Sequence, residues 1–207
     1  MKNELITKII ANRPVADESL DQHLMDEASM QSQLASLGIF SGQKVFFLGD
    51  DDHMSVLLGQ ELQVGALVLE YDERIIESLN DMYKKLGLTS CKAVKYDAHT
   101  PIPGQYVNKV DAFYINPPYS SKTDGADIKL WLDRSVEVCP EACFGVLVMP
   151  WNGGNLEEDW VYSVQNSVEI YLAESNLEIV QVEHNAHSYE SVSHPGLKSS
   201  NIHLRKK

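Results

Sequence analysis

The feature of this sequence that most constrains its fold is a series of short, continuous apolar runs separated by helical patterns. Residues 44–49 (KVFFLG) and 66–70 (ALVLE) have the composition of strands that are buried on both faces. Residues 72–87 follow the second run with apolar side chains at helical spacing, and they end at Gly87, a residue type that often terminates helices. A strand buried on both faces needs a helical layer on each side, so these runs predict an α/β fold.

The alternation continues through the rest of the chain. Further strands are predicted over 91–97, 109–116 and 143–151, and further helices over 127–139 and 156–176. Two more strand patterns, 177–186 and 199–207, close the sequence without a helix between them, which is typical of an antiparallel pair. The prediction is a doubly wound, mostly parallel sheet with one antiparallel strand near the C-terminus.

The N-terminal part of the chain has a helical pattern. Residues 16–38 predict a helix that begins near Asp17 or Ser19 and ends at Gly38. With 207 residues and 43% hydrophobic content, the chain has the size of one domain, and we expect a single domain over 1–207 with a helical segment at about 1–40. No run approaches the ~20 apolar residues of a membrane span, so a cytoplasmic location is expected.

The charge of the chain limits its partners. A net charge of −13 has the wrong sign for holding nucleic acid by its phosphates, so direct nucleic-acid binding is not expected without a partner subunit. The same charge favours a cationic substrate if it gathers near the site. Neither the three cysteines nor the histidines stand at metal-ligand spacing, so no metal site is predicted and the cysteines are expected to be reduced thiols.

Glycine or an acidic residue ends each of the first three predicted strands. Gly49 ends the first strand and allows a tight turn. Glu70 ends the second, 21 residues further on (70 − 49), at the distance expected for an acid that accepts hydrogen bonds from both hydroxyl groups of a ribose. Asp97 ends the third strand and is placed to accept from an adenine amino group, while the backbone of Ala98 addresses the ring. Each acid alone is more often a solvated strand end or a helix cap, but together they predict a ligand that contains a nucleoside.

The sequence Asn116-Pro117-Pro118-Tyr119 ends the fourth predicted strand. Two prolines cannot donate hydrogen bonds to a sheet, and they impose an extended, rigid backbone that would point the Pro117 carbonyl out of the sheet. This carbonyl and the Asn116 side-chain oxygen would accept both hydrogens of an amino group and turn its lone pair toward an electrophile. Tyr119 would stack on the substrate or close the pocket. The alternative is an ordinary proline turn.

This order of motifs resembles the class I S-adenosylmethionine-dependent methyltransferases, which have a Rossmann-like fold. The sequence INPPY at 115–119 is similar to the signature of the members that methylate amino nitrogens. The resemblance implies S-adenosylmethionine as the cofactor, with Asp50 and Asp51 near its amino-acid end and Tyr71 beside Glu70 among the cofactor-binding residues.

A second, narrower resemblance is to the catalytic domain of the branched-chain polyamine synthases, or bis(aminopropyl)spermidine synthases. It is carried by FFLGDDDHMS (46–55), LVLEYDERII (67–76) and Asp21-Gln22. That family shares the fold and transfers aminopropyl groups from decarboxylated S-adenosylmethionine, although it carries aspartate where this chain has Asn116. The three carboxylates at 50–52 favour the decarboxylated cofactor or a polycationic substrate, because S-adenosylmethionine presents a carboxylate of its own.

These motifs predict a transferase that acts on the amino nitrogen of a small amine. Methyl transfer is the first interpretation, because Asn116 suits a neutral amino group, and aminopropyl transfer to a polyamine is the second. A module that binds a nucleoside cofactor without turnover is an alternative of another class. The polar loop 120–127, with Gly125 as a hinge, is either a lid over the acceptor or an exposed loop that caps the next helix through Asp127. Whether the chain forms a homodimer is left open.

Overall fold

The structure, a computed structural model, describes residues 2–118, 122–151, 159–189 and 198–207. Within these ranges the α-helices are α1 (Lys2–Asn12), α2 (Glu27–Ser36), α3 (Met54–Leu62), α4 (Glu73–Leu86), α5 (Ala126–Val138) and α6 (Asp159–Glu174). The strands are β1 (Lys44–Leu48), β2 (Gly65–Glu70), β3 (Lys92–Lys95), β4 (Ala112–Ile115), β5 (Phe144–Met149), β6 (Leu177–Ser188) and β7 (Lys198–Lys206). None of these helices combines the length and the apolar character that crossing a bilayer requires.

The strands form one sheet in the order β3-β2-β1-β4-β5-β7-β6. The first five strands of this order are parallel, and β7 is inserted antiparallel between β5 and β6. The prediction of a doubly wound, mostly parallel sheet with one antiparallel strand near the C-terminus is therefore confirmed. The chain order reverses between β1 and β4, and ligands of open parallel sheets bind at the carboxyl ends of the strands beside such a reversal.

Successive side chains of the central strands are buried in two different layers. Val45 and Phe47 of β1 pack with apolar residues of α1 to α4, whereas Phe46 and Leu48 pack with residues of α5 and α6. This explains why β1 and β2 are continuous apolar runs, since neither face of these strands meets water. Gly145 of β5 matters to the second layer, because a Cβ atom at this position would overlap the ring of Phe113.

The N-terminal region differs from the prediction of one helix beginning near Asp17 or Ser19. A 3-10 turn at Glu18–Leu20 stops at Asp21, whose φ of 57° is left-handed, and the chain then bridges to Tyr189 through Met25. Helix α2 begins only at Glu27, where the Asp26 side chain accepts a hydrogen bond from Ser29 N. The helical periodicity was continuous across this break, but the Asp26 cap restarts the helix, because a capping carboxylate satisfies an otherwise unpaired N–H.

Two further expectations are corrected. Cys139 and Cys143, predicted to be reduced thiols, are paired as a disulfide across the short turn between α5 and β5, with their Cα atoms 5.8 Å apart. Helix α5 begins after Gly125, which has a φ of 79° and occupies the cap position, so Asp127 lies inside the first turn and is not the cap. The alternative that the loop 120–127 is a lid stays a prediction, because its residues 120 and 121 lie outside the described ranges.

Candidate active site

A cavity of about 340 Å³ opens at the carboxyl ends of β1 to β4. This volume is in the range of pockets that hold small molecules and cofactors. All the predicted site residues that the structure describes line it: Gly49, Asp50, Asp51, Glu70, Tyr71, Asp97, Ala98, Asn116 and Pro117. Tyr119 lies outside the described residues. The structure thus brings the strand-end residues together at one edge of the sheet.

Glu70 is held rigidly at the end of β2. Its side chain is only 6% exposed, Oε2 accepts a hydrogen bond from Asp50 N at 3.0 Å, and Oε1 accepts one from Asp72 N at 2.8 Å. Burial raises the pKa of Glu70, and the backbone donors oppose that rise. Each carboxylate oxygen has a second lone pair, so the side chain can accept two further hydrogen bonds from a ligand.

The loop after β1 turns sharply, and the carboxylates of two of its three aspartates are bound by other groups of the protein. Gly49 has a φ of 70°, a conformation that glycine adopts without a Cβ clash. The Asp50 carboxylate accepts hydrogen bonds from Met54 N at 2.8 Å and Ser55 N at 3.1 Å, so it occupies the N-terminus of α3. The Asp52 carboxylate lies 3.4 Å from Arg13 Nη1 and accepts from Met25 N at 2.6 Å.

Asp51 is the aspartate of this loop whose carboxylate can contact a ligand in the cavity. Its side chain is partly buried, and its Oδ1 accepts a hydrogen bond from Asp52 N at 3.1 Å. Burial, followed by the charges of Asp52 and Glu70, raises the pKa of Asp51 well above its usual range. A carboxyl group in this state gains from a cation placed beside it, since an opposite charge favours the ionised form.

The end of β3 forms the far wall of the cavity. The exposed Asp97 carboxylate accepts from His99 N at 2.9 Å, and the Ala98 carbonyl accepts from Arg134 Nε at 2.8 Å. Tyr71 is 55% exposed at the rim, with the Lys95 ammonium 4.2 Å from its ring centroid. These contacts fix the backbone at 97–99 and leave acceptor groups near the opening.

Asn116 and Pro117 lie where β4 ends, next to β1. Asn116 is partly buried, and its Oδ1 accepts a hydrogen bond from Tyr189 Oη at 3.2 Å. Trp131 of α5 lines the cavity nearby and donates from Nε1 to the Leu48 carbonyl at 3.0 Å. The amide of Asn116 therefore has a protein partner on one side and the cavity on the other.

Several residues of the cavity wall were not predicted as site residues from the sequence. Residues 20–23 cover one side of the cavity, where His23 lies 3.6 Å from the Asp21 carboxylate and this partner raises the pKa of His23. Tyr189 closes another side. The narrower resemblance included Asp21-Gln22 as a motif, which was a usable signal for the first group. Tyr189 lies 73 positions after Asn116 in the sequence, and no motif in the sequence connected it with the site.

The wall of the cavity is acidic. The acids among its lining residues are Asp21, Asp50, Asp51, Asp52, Glu70 and Asp97, and the described lining contains no lysine or arginine. The positions outside the described ranges contain no lysine or arginine in the sequence either. Among the residues that the structure describes, no group of three or more His, Cys, Asp or Glu side chains could hold a metal ion.

A comparison with protein families matches nearly the whole chain. The model described as the branched-chain polyamine synthase A C-terminal domain matches residues 3–197. The N(4)-bis(aminopropyl)spermidine synthase of Methanocaldococcus jannaschii is 28% identical over 127 residues, which are 58% of this chain and 36% of that protein.

Solved structures show the same fold. The branched-chain polyamine synthase of Thermus thermophilus, in complex with N4-aminopropylspermidine and 5'-methylthioadenosine, has a TM-score of 0.81 at 22% identity and covers 99% of this chain. A SAM-dependent methyltransferase from Aquifex aeolicus has a TM-score of 0.60 at 14% identity and covers 98% of each chain. The chain spans less than two thirds of the length of the synthases it matches, 64% of the Thermus thermophilus chain and 36% of the Methanocaldococcus jannaschii protein.

Proposed function

The chain belongs to the family of branched-chain polyamine synthase A C-terminal domains, and from this premise we propose that it transfers aminopropyl groups from decarboxylated S-adenosylmethionine to an amino nitrogen of a polyamine. The matched synthases, which carry this activity in their names, support the proposal. It replaces methyl transfer as the preferred interpretation.

One observation carries the choice of donor: the described lining of the cavity has several carboxylates that could pair with an ammonium group and no lysine or arginine that could pair with a carboxylate. A helix N-terminus is the usual place for an anion, because its N–H groups are unpaired. Here the Asp50 carboxylate already occupies the N-terminus of α3, and the described lining contains no lysine or arginine. S-adenosylmethionine would bring its carboxylate to this acidic wall, whereas the decarboxylated form brings only positive charge.

The residues fit the nucleoside part of this donor. We assign the two ribose hydroxyls to the remaining lone pairs of Glu70, whose orientation is set by its two backbone donors. Asp97 and the backbone at Ala98 are assigned to the adenine, at the end of the next strand. Asp51 is assigned to the ammonium of the aminopropyl group, which would favour its ionised form.

Asn116 and Pro117 are assigned to the acceptor. When bound, the donor supplies a carbon activated by a sulfonium. The Asn116 Oδ1 and the Pro117 carbonyl would accept hydrogen bonds from the acceptor amine and so aim its lone pair at that carbon. The new carbon–nitrogen bond forms as the carbon–sulfur bond breaks, the sulfur keeps the electron pair in methylthioadenosine, and the nitrogen releases its extra proton to water.

Methyl transfer is the second candidate, and Asn116 is the observation that favours it. A neutral amide suits a neutral amino group, whereas a carboxylate at this position would hold a charged amine more strongly. The two candidates differ in the donor they require.

Isothermal titration calorimetry with the two donors tests the proposal. We expect the decarboxylated donor to bind at least tenfold more tightly than S-adenosylmethionine, and methylthioadenosine, which has no charged end, to bind as well. Tighter binding of S-adenosylmethionine would overturn the assignment of the acidic wall and support methyl transfer.

A further inference from the structure

A network of side-chain hydrogen bonds connects Glu183 of β6 with the amide of Asn116. Between these two residues it passes, in order, through Ser36, Asn201, Gln33, His187 and Tyr189. Gln33, His187 and Asn201 are buried. A left-handed residue, Asn185, lies at a register shift in β6 just before His187, and such irregularities reorient the side chains that follow. The sequence places these residues far apart, and only the fold connects them.

The direction of each hydrogen bond in this network follows from its first member. A carboxylate only accepts, so the Ser36 hydroxyl donates to Glu183 Oε2 and must accept from Asn201 Nδ2, which is 2.8 Å away. This fixes the orientation of the Asn201 amide. The two amides then form a pair of hydrogen bonds of 2.9 Å, from Gln33 Nε2 to Asn201 Oδ1 and from Asn201 Nδ2 to Gln33 Oε1. The amide nitrogen of Gln33 therefore faces His187.

The same logic continues to the active site. Gln33 Nε2 lies 2.9 Å from His187 Nδ1, so Nδ1 is the acceptor and the hydrogen of the neutral ring is on Nε2. Burial lowers the pKa of His187 to about 3, although Asp26 opposes the shift, so the ring stays neutral. His187 Nε2 then donates to Tyr189 Oη at 3.1 Å.

Among the described residues, the Tyr189 hydroxyl donates toward Asn116 Oδ1 at 3.2 Å and toward Ser199 Oγ at 2.9 Å. An amide oxygen can only accept, so the Tyr189 hydroxyl is the donor in its contact with Asn116. A hydrogen shared between the two oxygens accounts for both contacts of Tyr189. One lone pair of Asn116 Oδ1 is then occupied, and the other remains for the acceptor amine.

We propose that His187 and Tyr189 are positioning residues that fix the side-chain amide of Asn116 with its oxygen available to the acceptor amine. The role of Asn116 in transfer rests on the proposed function, but the orientation of its amide does not. Without the Tyr189 hydroxyl, the amide could rotate by half a turn and present its NH₂ group, a donor, to the hydrogens of the amine. Such a rotation would slow transfer and leave the nucleoside site intact.

Nuclear magnetic resonance tests the network without turnover. In ¹⁵N-labelled protein, the His187 ring, assigned by comparison with His187→Gln, should show a protonated Nε2 and an unprotonated Nδ1. The Asn116 side-chain amide signals should shift in Tyr189→Phe and should not shift in Tyr171→Phe. Tyr171→Phe is the matched control, because it removes a hydroxyl that donates to Asp133 and takes no part in this hydrogen-bond network. A His187 ring protonated on Nδ1, or Asn116 signals that do not shift in Tyr189→Phe, would overturn the proposal even if the protein transfers aminopropyl groups.

A double-mutant cycle tests the link to catalysis. Tyr189→Phe should lower kcat about tenfold or more, leave methylthioadenosine affinity within about twofold, and have no further effect on kcat in the Asn116→Ala background. Additive effects on kcat would show that Tyr189 does not act through Asn116. Absence of turnover with either donor would count against the proposed function, while the resonance signals would still decide the hydrogen-bond network.

Discussion

Glu70→Gln is the substitution that most sharply probes the proposed nucleoside site. The two carboxylate oxygens of Glu70 accept from Asp50 N at 3.0 Å and from Asp72 N at 2.8 Å. Glutamine keeps the shape of the side chain but has one acceptor oxygen, so one of these backbone donors would face an NH₂ group. One ribose hydroxyl would lose its charged acceptor for the same reason.

Typical hydrogen-bond energies set the size of both effects. A hydrogen bond to a charged group contributes about 1.5–3 kcal/mol, and about 1.4 kcal/mol corresponds to a tenfold change in affinity. Loss of one such bond should weaken methylthioadenosine binding by roughly ten- to a hundredfold. The buried N–H that loses its acceptor should lower the free energy of unfolding by about 1–3 kcal/mol.

Calorimetric titration with methylthioadenosine, together with denaturant unfolding, checks both values. Glu73→Gln is the matched control, because Glu73 lies three residues further along the chain with its side chain 76% exposed and outside the cavity lining. Its affinity should equal that of the unmodified protein. If Glu70→Gln lost stability but kept its affinity, Glu70 would only support the loop, and the ribose assignment would be refuted.

Four further outcomes are expected. Asp51→Asn should reduce the preference for the decarboxylated donor over S-adenosylmethionine by about tenfold, measured by calorimetry, because one charged partner of the ammonium is lost; an unchanged ratio would remove Asp51 from the donor site. Asn116→Ala should keep methylthioadenosine affinity within about threefold and cut the transfer rate about a hundredfold or more, whereas equal rates would make the two prolines an ordinary turn. Binding of the decarboxylated donor should release protons at a pH where Asp51 is partly protonated, because burial and the charges of Asp52 and Glu70 raise the pKa of Asp51 and a bound cation lowers it; calorimetry in buffers of different ionisation enthalpy measures this, and proton uptake would contradict it. Gly145→Ala should lower the free energy of unfolding by about 1–3 kcal/mol, because the added methyl group overlaps Phe113, and an unchanged unfolding midpoint would show that the ring moves freely.

The edge of the sheet that carries the site could be predicted from the sequence for a physical reason. Strands buried on both faces read as continuous apolar runs, and the residue that ends each run is placed at a common edge by parallel pairing. Gly49, Glu70 and Asn116 are such residues, and they do line one cavity. A few local patterns were therefore enough to gather these groups, with no knowledge of how the helices pack.

The separate partners of the three aspartates at 50–52 could not be predicted in the same way. Three consecutive aspartates look equivalent in the sequence, but the backbone turn at Gly49 sends Asp50 to the N-terminus of α3 and Asp52 to Arg13. Their directions depend on contacts with α1 and α3, and the sequence pattern gave no separate indication of α3. The carboxylate of Asp51 takes part in neither of these contacts, and its role beside the donor ammonium stays a prediction.

The support of Asn116 was also beyond the reach of the sequence. Gln33 and His187 are 154 positions apart, and no spacing rule connects two side chains across such a distance. A spacing of three on a strand puts two side chains on opposite faces, and the structure has His184 exposed and His187 buried. Only the packing of α2 against β6 shows that His187 is the histidine that contacts Gln33.

The most direct test of the central claim is mass analysis of the product formed from spermidine. The protein is incubated with spermidine and an equal mixture of S-adenosylmethionine and its decarboxylated form. We expect a product that is heavier by one aminopropyl group, with methylthioadenosine released in equal amount. A product heavier by one methyl group, formed from S-adenosylmethionine in the same mixture, would contradict it.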